Sequence, residues 1–506
     1  MEYFKVKQTK FVILFIIILS GCNDQVSNDH SVHSPALDAF ITEVYNTYPL
    51  PGITVGVVTE EGTYFKSLGF SDLDKKLPIS DSTIFFMGEF SELLVSTGML
   101  KLDELGSLSV EDKVVKHLPY FKTQGAYDKI SIHHLLTHTS GIPKFSPAWD
   151  MPSFASDALE ATTRSIVFQD LEFSPGSQRK KSPYNYDIAA DLMAKVSNTL
   201  FEEVMEKNVF EPLHMSQSYF NIQEIKQEQL VKPHAIKDWL KYDFTLFEPY
   251  PYTRENAGSF GLHSTTSDMT KWMKMVLELE EGAGLLSDKS LSELMREFYK
   301  TGKDTYKGYG WNVLKTNENT IYNNEWSLGG FSGDISLFPD KKIGIIVVAN
   351  TSGDFNPTVI SERIAHFLNG GELKKVKLPI HIEMSRKLSR GETLTNVLKW
   401  HDSLMAVKDP TYLFSPAILN QLGANLLRRV DRKEDALIVF RHCVEKYPDS
   451  PEAYLNLTEG LLVTGQIDEA EKHFQKAHHL NPKLNSPYVN FIKEQLMVAR
   501  EREPQS

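Results

Sequence analysis

A chain of 506 residues, 41% hydrophobic and 24% charged, has a globular composition and enough length for two or three cores. Its formal net charge of −12 comes without any basic stripe, which excludes nucleic acid as a partner, since phosphates need a basic footprint.

At the N-terminus, Lys5, Lys7 and Lys10 precede an unbroken apolar run over 11–19, too short to span a bilayer. Leu19-Ser20-Gly21-Cys22 follows, and then the polar Asn23-Asp24-Gln25. The arrangement resembles the bacterial lipobox, which implies that residues 1–21 are a signal peptide and that Cys22 becomes the lipidated first residue of the mature chain. Residues 22–34 then read as a polar tether. The expected location is the cell membrane or outer membrane, lipid-anchored and facing the periplasm or the exterior. Cys443 is the only other cysteine, so lipidation of Cys22 leaves no intramolecular disulfide and stability must come from burial.

Residues 51–70 read as a hairpin: Ile53, Val55 and Val57 alternate with small or polar residues, Glu60-Glu61-Gly62 turns, and Tyr64-Phe65 opens the return strand. Periodicity predicts helices over 91–105, 186–196 and 267–279. A second hairpin follows, its strands over 334–338 and 343–349 and Pro339-Asp340-Lys341-Lys342 between them. Strands at both ends and helices between predict an α+β domain over 35–370 whose terminal strands share one antiparallel sheet. After Gly370-Gly371 a Lys-rich stretch without helical periodicity marks a linker over 371–381. Residues 382–506 then read as all-helical. Ala436, Phe440 and Pro448 recur as Ala470, Phe474 and Pro482, each 34 residues on, which is the tetratricopeptide period. Residues 382–409 fit a degenerate helical pair and 488–499 a capping helix; such repeats stack into a concave surface for a protein partner.

Ile130-Ser131-Ile132-His133-His134-Leu135-Leu136-Thr137-His138-Thr139-Ser140-Gly141-Ile142-Pro143 carries the strongest motif. Phe260-Gly261-Leu262-His263-Ser264-Thr265, Lys307-Gly308-Tyr309-Gly310-Trp311 and Gly329-Gly330-Phe331-Ser332-Gly333 follow in order. Together, over about residues 37–367, they resemble the serine β-lactamase and penicillin-binding-protein family, nearest its class C enzymes, esterases and D-amino-acid peptidases. The resemblance implies an antiparallel sheet flanked by helices plus an all-α subdomain, with the motif histidines structural. His133 and His134 have no carboxylate or Cys at ligand spacing, so no metal is implied, and no cofactor either.

The family's chemistry rests on a Ser-x-x-Lys opening a helix, where one turn sets the amine beside the hydroxyl it deprotonates. It also uses a Tyr-x-Asn loop and a Lys- or His-led triplet ending in Gly on the strand bordering the cleft. Aligned through Thr83–Gly88, the Ser falls on Glu89 and the Lys on Glu92. Aligned through Pro175-Gly176-Ser177, Tyr-x-Asn falls on Lys181, Ser182 and Pro183; a shift of three residues gives Tyr184-Asn185-Tyr186, still without the Asn. The triplet falls on Ser327-Leu328-Gly329, without its cation. A literal Ser-x-x-Lys at Ser177-Gln178-Arg179-Lys180 lies in a loop, with no helix to set the pair one turn apart.

The losses lead to an expectation of an inert hydrolase fold that binds a peptide or cell-wall-derived ligand, while the repeats bind a protein. Lys181, alone or with Lys180, is expected to pair with Glu89, Glu92 or both. The alternative is a divergent serine hydrolase of peptidase, esterase or β-lactamase type. Its nucleophile would have moved to Ser91 or Ser182, with Lys180 or Lys181 as base. A third reading makes Glu89 and Glu92 the carboxylate pair of a glycosidase.

Overall fold

A computed structural model describes residues 30–145, 151–279, 284–317 and 319–502. The expected signal peptide, Cys22 and all but the last residues of the tether lie outside them. No helix among the described residues is long and apolar enough to cross a membrane.

The frame is a nine-stranded antiparallel sheet. Its strands are β1 (Gly52–Thr59), β2 (Gly62–Asp72), β3 (Leu77–Pro78), β4 (Tyr299–Lys300), β5 (Thr305–Lys307), β6 (Asn312–Lys315), β7 (Thr320–Leu328), β8 (Phe331–Phe338) and β9 (Ile343–Ala349). They lie in the order β3-β2-β1-β9-β8-β7-β6-β5-β4, so the first and last strands of the domain meet at its centre. Ile53 faces Ala349 and Val55 faces Val347 across that pair. β9 is buried on both faces, which is why its sequence is apolar without alternation. Ile345, Val347 and Ala349 pack with Ile53, Val55 and Val57 against α1 (Pro35–Thr47) and α6 (Pro357–Leu368). Ile346 and Val348 join the larger core on the other face. That core holds α2 (Phe90–Glu104), α3 (Ile132–Leu136), α4 (Tyr184–Ser197) and α5 (Thr266–Val276). Gly56 lets α5 close on the sheet, because a Cβ there would stand 2.6 Å from Thr266 Cγ2. Strands β4–β6 have no counterpart among the predicted elements, whereas the end of β7 falls on the Ser327-Leu328-Gly329 triplet.

Beyond the sheet domain the chain is helical: α7 (Ile380–Ser389), α8 (Leu394–Ala406), α9 (Pro416–Arg428), α10 (Lys433–Lys446), α11 (Pro451–Val463), α12 (Ile467–Leu480) and α13 (Pro487–Arg502). Proline at the first turn and a serine N-cap open α9 and α11, the chemistry that satisfies a helix's orphan N–H groups. Phe440 is the keystone of this region. Gly423 and Gly460 abut its ring so closely that an added Cβ would approach within 2.3 Å and 2.8 Å.

Two strands outside the main sheet, His234–Asp238 and Asp243–Leu246, form a hairpin that joins the two regions. At its base the His234 N–H donates to the Gly330 carbonyl, in the β7–β8 turn. At its far end Leu240 packs on the helical core and Arg429 stacks over Trp239.

Candidate functional site

The site is built where α2 begins. Phe85–Phe86 pairs with His263–Ser264, and the Met87 N–H donates to the Leu262 carbonyl at 2.8 Å. Gly88 then turns at φ +51°, with the Trp326 ring so near that a Cβ would stand 2.5 Å from it. Only glycine fits there, and the turn delivers Glu89 as the N-cap of α2. Glu92 follows one turn later on the same face.

Opposite runs the loop ending at α4. It is clamped to the segment after α3 by bonds from the Gly176 N–H to the Thr139 carbonyl and from the Lys180 N–H to the His138 carbonyl. This clamp carries Lys181 onto the start of α2. Its ammonium makes a short contact with Glu89 Oε2 and lies 3.5 Å from Glu92 Oε1. Glu92 is 3% exposed, whereas Lys181 is 35% exposed and borders solvent. Lys180 does not take part, because its ammonium turns outward to Glu172 at 2.5 Å.

Glu92 is also reached from beneath. His138 Nε2 lies 3.4 Å from Glu92 Oε2, and Asn185 donates its amide to His138 Nδ1 at 3.0 Å. That bond fixes the tautomer, leaving Nε2–H to donate toward Glu92. The Ser140 hydroxyl in turn donates to Asn185 Oδ1 at 2.6 Å. The result is a buried chain of donors, Ser140 to Asn185 to His138 to Glu92. Sequence reasoning set His138 among structural histidines and reached Asn185 only through the shifted Tyr184-Asn185-Tyr186 alignment. The available signal was a demand: a buried carboxylate at Glu92 requires donors, and the His138 motif supplies one.

The electrostatics follow. Burial pushes Glu92 up, but Lys181, His138 and Arg179 together hold it well below the usual carboxylate range. Burial raises Glu89, with the Glu92 charge adding to it and Lys181 opposing. Burial would lower Lys181, yet Glu92 and Glu89 outweigh that and raise it, so the ammonium does not give up its proton to serve as a base. Lys307, on β5, is pushed down to about 8 by burial and by the neighbouring cations Arg179 and Lys181.

The remaining sequence candidates are accounted for. Ser91 donates to the Gly88 carbonyl at 2.7 Å and accepts from the Leu262 N–H at 2.9 Å, so it pins the start of α2. Ser182 donates to the Pro143 carbonyl at 2.9 Å. Neither hydroxyl meets an amine. Pro183 is the buried N-cap of α4. Ser177 donates to the Ser174 carbonyl in its own loop. Ser327 is exposed at the end of β7, and Gly329 turns the chain at φ +58°. Glu89 and Glu92 hold one shared lysine from the same helical turn, so they do not oppose each other across a cleft as a glycosidase pair does.

A family model described as Beta-lactamase matches residues 37–368. The chain belongs to the beta-lactamase family. Protein flp of Staphylococcus aureus (strain COL) is 25% identical over 337 residues, which is 66% of this chain and 66% of that protein. The chain therefore spans just under two thirds of that relative. Beta-lactamase of Escherichia coli (strain K12) is 25% identical over 350 residues, 61% of this chain and 86% of that protein. The octameric penicillin-binding protein homologue from Pyrococcus abyssi superposes with a TM-score of 0.58 at 25% identity, covering 71% of this chain and 82% of that one. A beta-lactamase/D-alanine carboxypeptidase from Pseudomonas syringae shares the fold, with a TM-score of 0.57 at 20% identity over 66% and 98% of the two chains. Within the segment matched to the beta-lactamase family, Glu89, Lys181 and Glu92 form one ion cluster.

Proposed function

We propose that the beta-lactamase-family domain of this chain is a non-catalytic binding domain. The observation that carries the reading is the ion cluster: Glu89, Lys181 and Glu92, where the resemblance sets the family's catalytic groups, neutralise one another, and neither the Ser91 nor the Ser182 hydroxyl is paired with an amine. Acyl transfer needs an activated nucleophile, and a lysine held as an ammonium by two carboxylates does not activate one. Cleft chemistry favours an anionic ligand, such as a carboxylate-bearing peptide or cell-wall fragment. Lys181, Arg179 and Lys307 act on one another there, beside the carboxylates of Glu89, Glu92 and Glu325.

The rest of the reading is built on the sequence. A lipid at Cys22 would hold the protein on the cell membrane or outer membrane, facing the periplasm or the exterior. The helical region would act as tetratricopeptide-type repeats that recruit a protein. Its support is the 34-residue offset between the starts of α10 and α12.

Labelling tests the proposal. The purified protein is treated with a fluorophosphonate and with a penicillin-type probe, beside the triple variant Glu89→Ser, Glu92→Lys, Lys181→Tyr. No adduct on the wild-type chain is expected. A stoichiometric adduct at one serine of the wild-type chain would establish the serine hydrolase alternative instead.

A further inference from the structure

The sequence implied no metal, because His133 and His134 have no carboxylate or Cys at ligand spacing. Folding brings one together outside the cleft. Asp402, on α8, and His442, on α10, are 40 residues apart, yet His442 Nε2 lies 2.9 Å from Asp402 Oδ1. The same oxygen lies 3.0 Å from Nδ1 of His401. One carboxylate oxygen thus meets two imidazole nitrogens from two non-consecutive helices, and the three atoms lie within 4.8 Å of one another. We propose that His401, Asp402 and His442 form a binding site for a borderline divalent cation of the zinc type, tying α8 to α10.

Three arguments support the assignment. Donor chemistry is the first: two imidazoles and one carboxylate are a set that zinc-type ions favour over calcium or magnesium, which prefer all-oxygen cages. Spacing is the second. Zinc bonds of about 2.0–2.1 Å put tetrahedral ligand atoms roughly 3.3–3.4 Å apart, so the present separations require small side-chain adjustments and no backbone movement. Orientation is the third. His401 is 0% exposed and its ring is held edge-on by Phe414 and by His442. Lys446 holds the second carboxylate oxygen, Oδ2, at 2.8 Å, leaving Oδ1 as the single ligand atom, the kind of outer contact that aims a ligand. Asp402 and His442 reach solvent, which supplies an entry path and water for the fourth position.

Three protein ligands with an ammonium close by make a moderate site, so the test is comparative. The purified chain is stripped with a chelator and titrated with zinc chloride by calorimetry, with thermal unfolding followed in parallel. His442→Ala and Asp402→Asn are compared with His473→Ala, which removes a histidine outside the cluster; circular dichroism checks that each is folded. The expected result is one zinc equivalent bound by the wild type and by His473→Ala, with affinity at least tenfold weaker in both cluster variants. The zinc-dependent rise in unfolding midpoint should disappear with it. A wild-type chain that binds no zinc, or folded cluster variants that bind it within twofold of wild type, would overturn the proposal.

Discussion

Glu92 shows how one substitution dictates its neighbours. A carboxylate with 3% exposure is costly unless paired and hydrogen-bonded, and here Lys181 and His138 supply the pairing from two sides. Lys181→Met should therefore destabilise the protein by about 1–3 kcal/mol, toward the low side of buried-pair losses because the lysine is partly exposed. Adding Glu92→Gln should return part of that loss, since the two changes share one interaction while Glu89 still lacks its lysine; urea denaturation at pH 7 of the two singles and the double gives both numbers. The pH dependence has a definite sign. Glu92 sits lower in the folded chain than its ordinary value of about 4.3, so its contribution is full above that value and is lost as pH falls below it. Wild-type urea midpoints should drop on going from about pH 4.5 toward pH 2. Glu92→Gln should show a shallower drop over the same window, and an identical profile would mean that Glu92 is not the linked group.

At the scale of elements, the start of α2 is fixed by two small residues, Gly88 and Ser91. Ser91→Ala leaves the Leu262 N–H without its acceptor and should cost about 1–2 kcal/mol in urea denaturation. Gly88→Ala forces a side chain into φ +51° against the Trp326 ring and should cost about 2 kcal/mol or more, with a change in tryptophan fluorescence as that ring is displaced. In the helical region, Phe440→Ala empties the space between Gly423 and Gly460 and should cost about 3–5 kcal/mol. These elements were unequally legible. The two central hairpins showed in the alternation of Ile53, Val55 and Val57 and in the apolar run over 343–349, because burial imprints periodicity directly. β4 to β6 left little trace: Lys300, Lys307 and Lys315 sit among short, half-exposed strands whose place comes from pairing with distant segments. Motif order located Glu89, Glu92 and Lys181. It gave no hint of Asn185 reaching His138, since that bond joins residues 47 apart and depends on how α4 packs against α3.

For the whole molecule, the question is whether the sheet domain and the helical region behave as one body. Their junction is a buried polar knot inside an apolar ring. The Tyr242 hydroxyl donates to Asp354 Oδ2 at 2.7 Å, and His381 Nε2 lies 3.1 Å from the same oxygen. Tyr242, Leu378 and Ile382 pack around them. Asp354 belongs to the sheet domain and His381 to the first helix beyond it, so one carboxylate serves both regions. The connecting segment is held as well, by Arg363 donating to the carbonyls of Lys374 and Lys375. Asp354→Ala removes the acceptor of the Tyr242 hydroxyl and the carboxylate beside His381, leaving the buried hydroxyl unpaired, at a cost of about 1–3 kcal/mol concentrated at the junction. Trypsin reads the consequence, because Lys374 and Lys375 are exposed cleavage sites. In the wild type, cleavage there should be slow, and the two halves should still co-elute on size exclusion afterwards. In Asp354→Ala, cleavage should be several-fold faster and the halves should separate. Co-elution of the cleaved variant would mean that the apolar ring alone holds the regions together. Separation would mean that the polar knot at Asp354 holds the helical region on the sheet domain, and that the hairpin contacts of Leu240 and of Trp239 with Arg429 do not suffice alone.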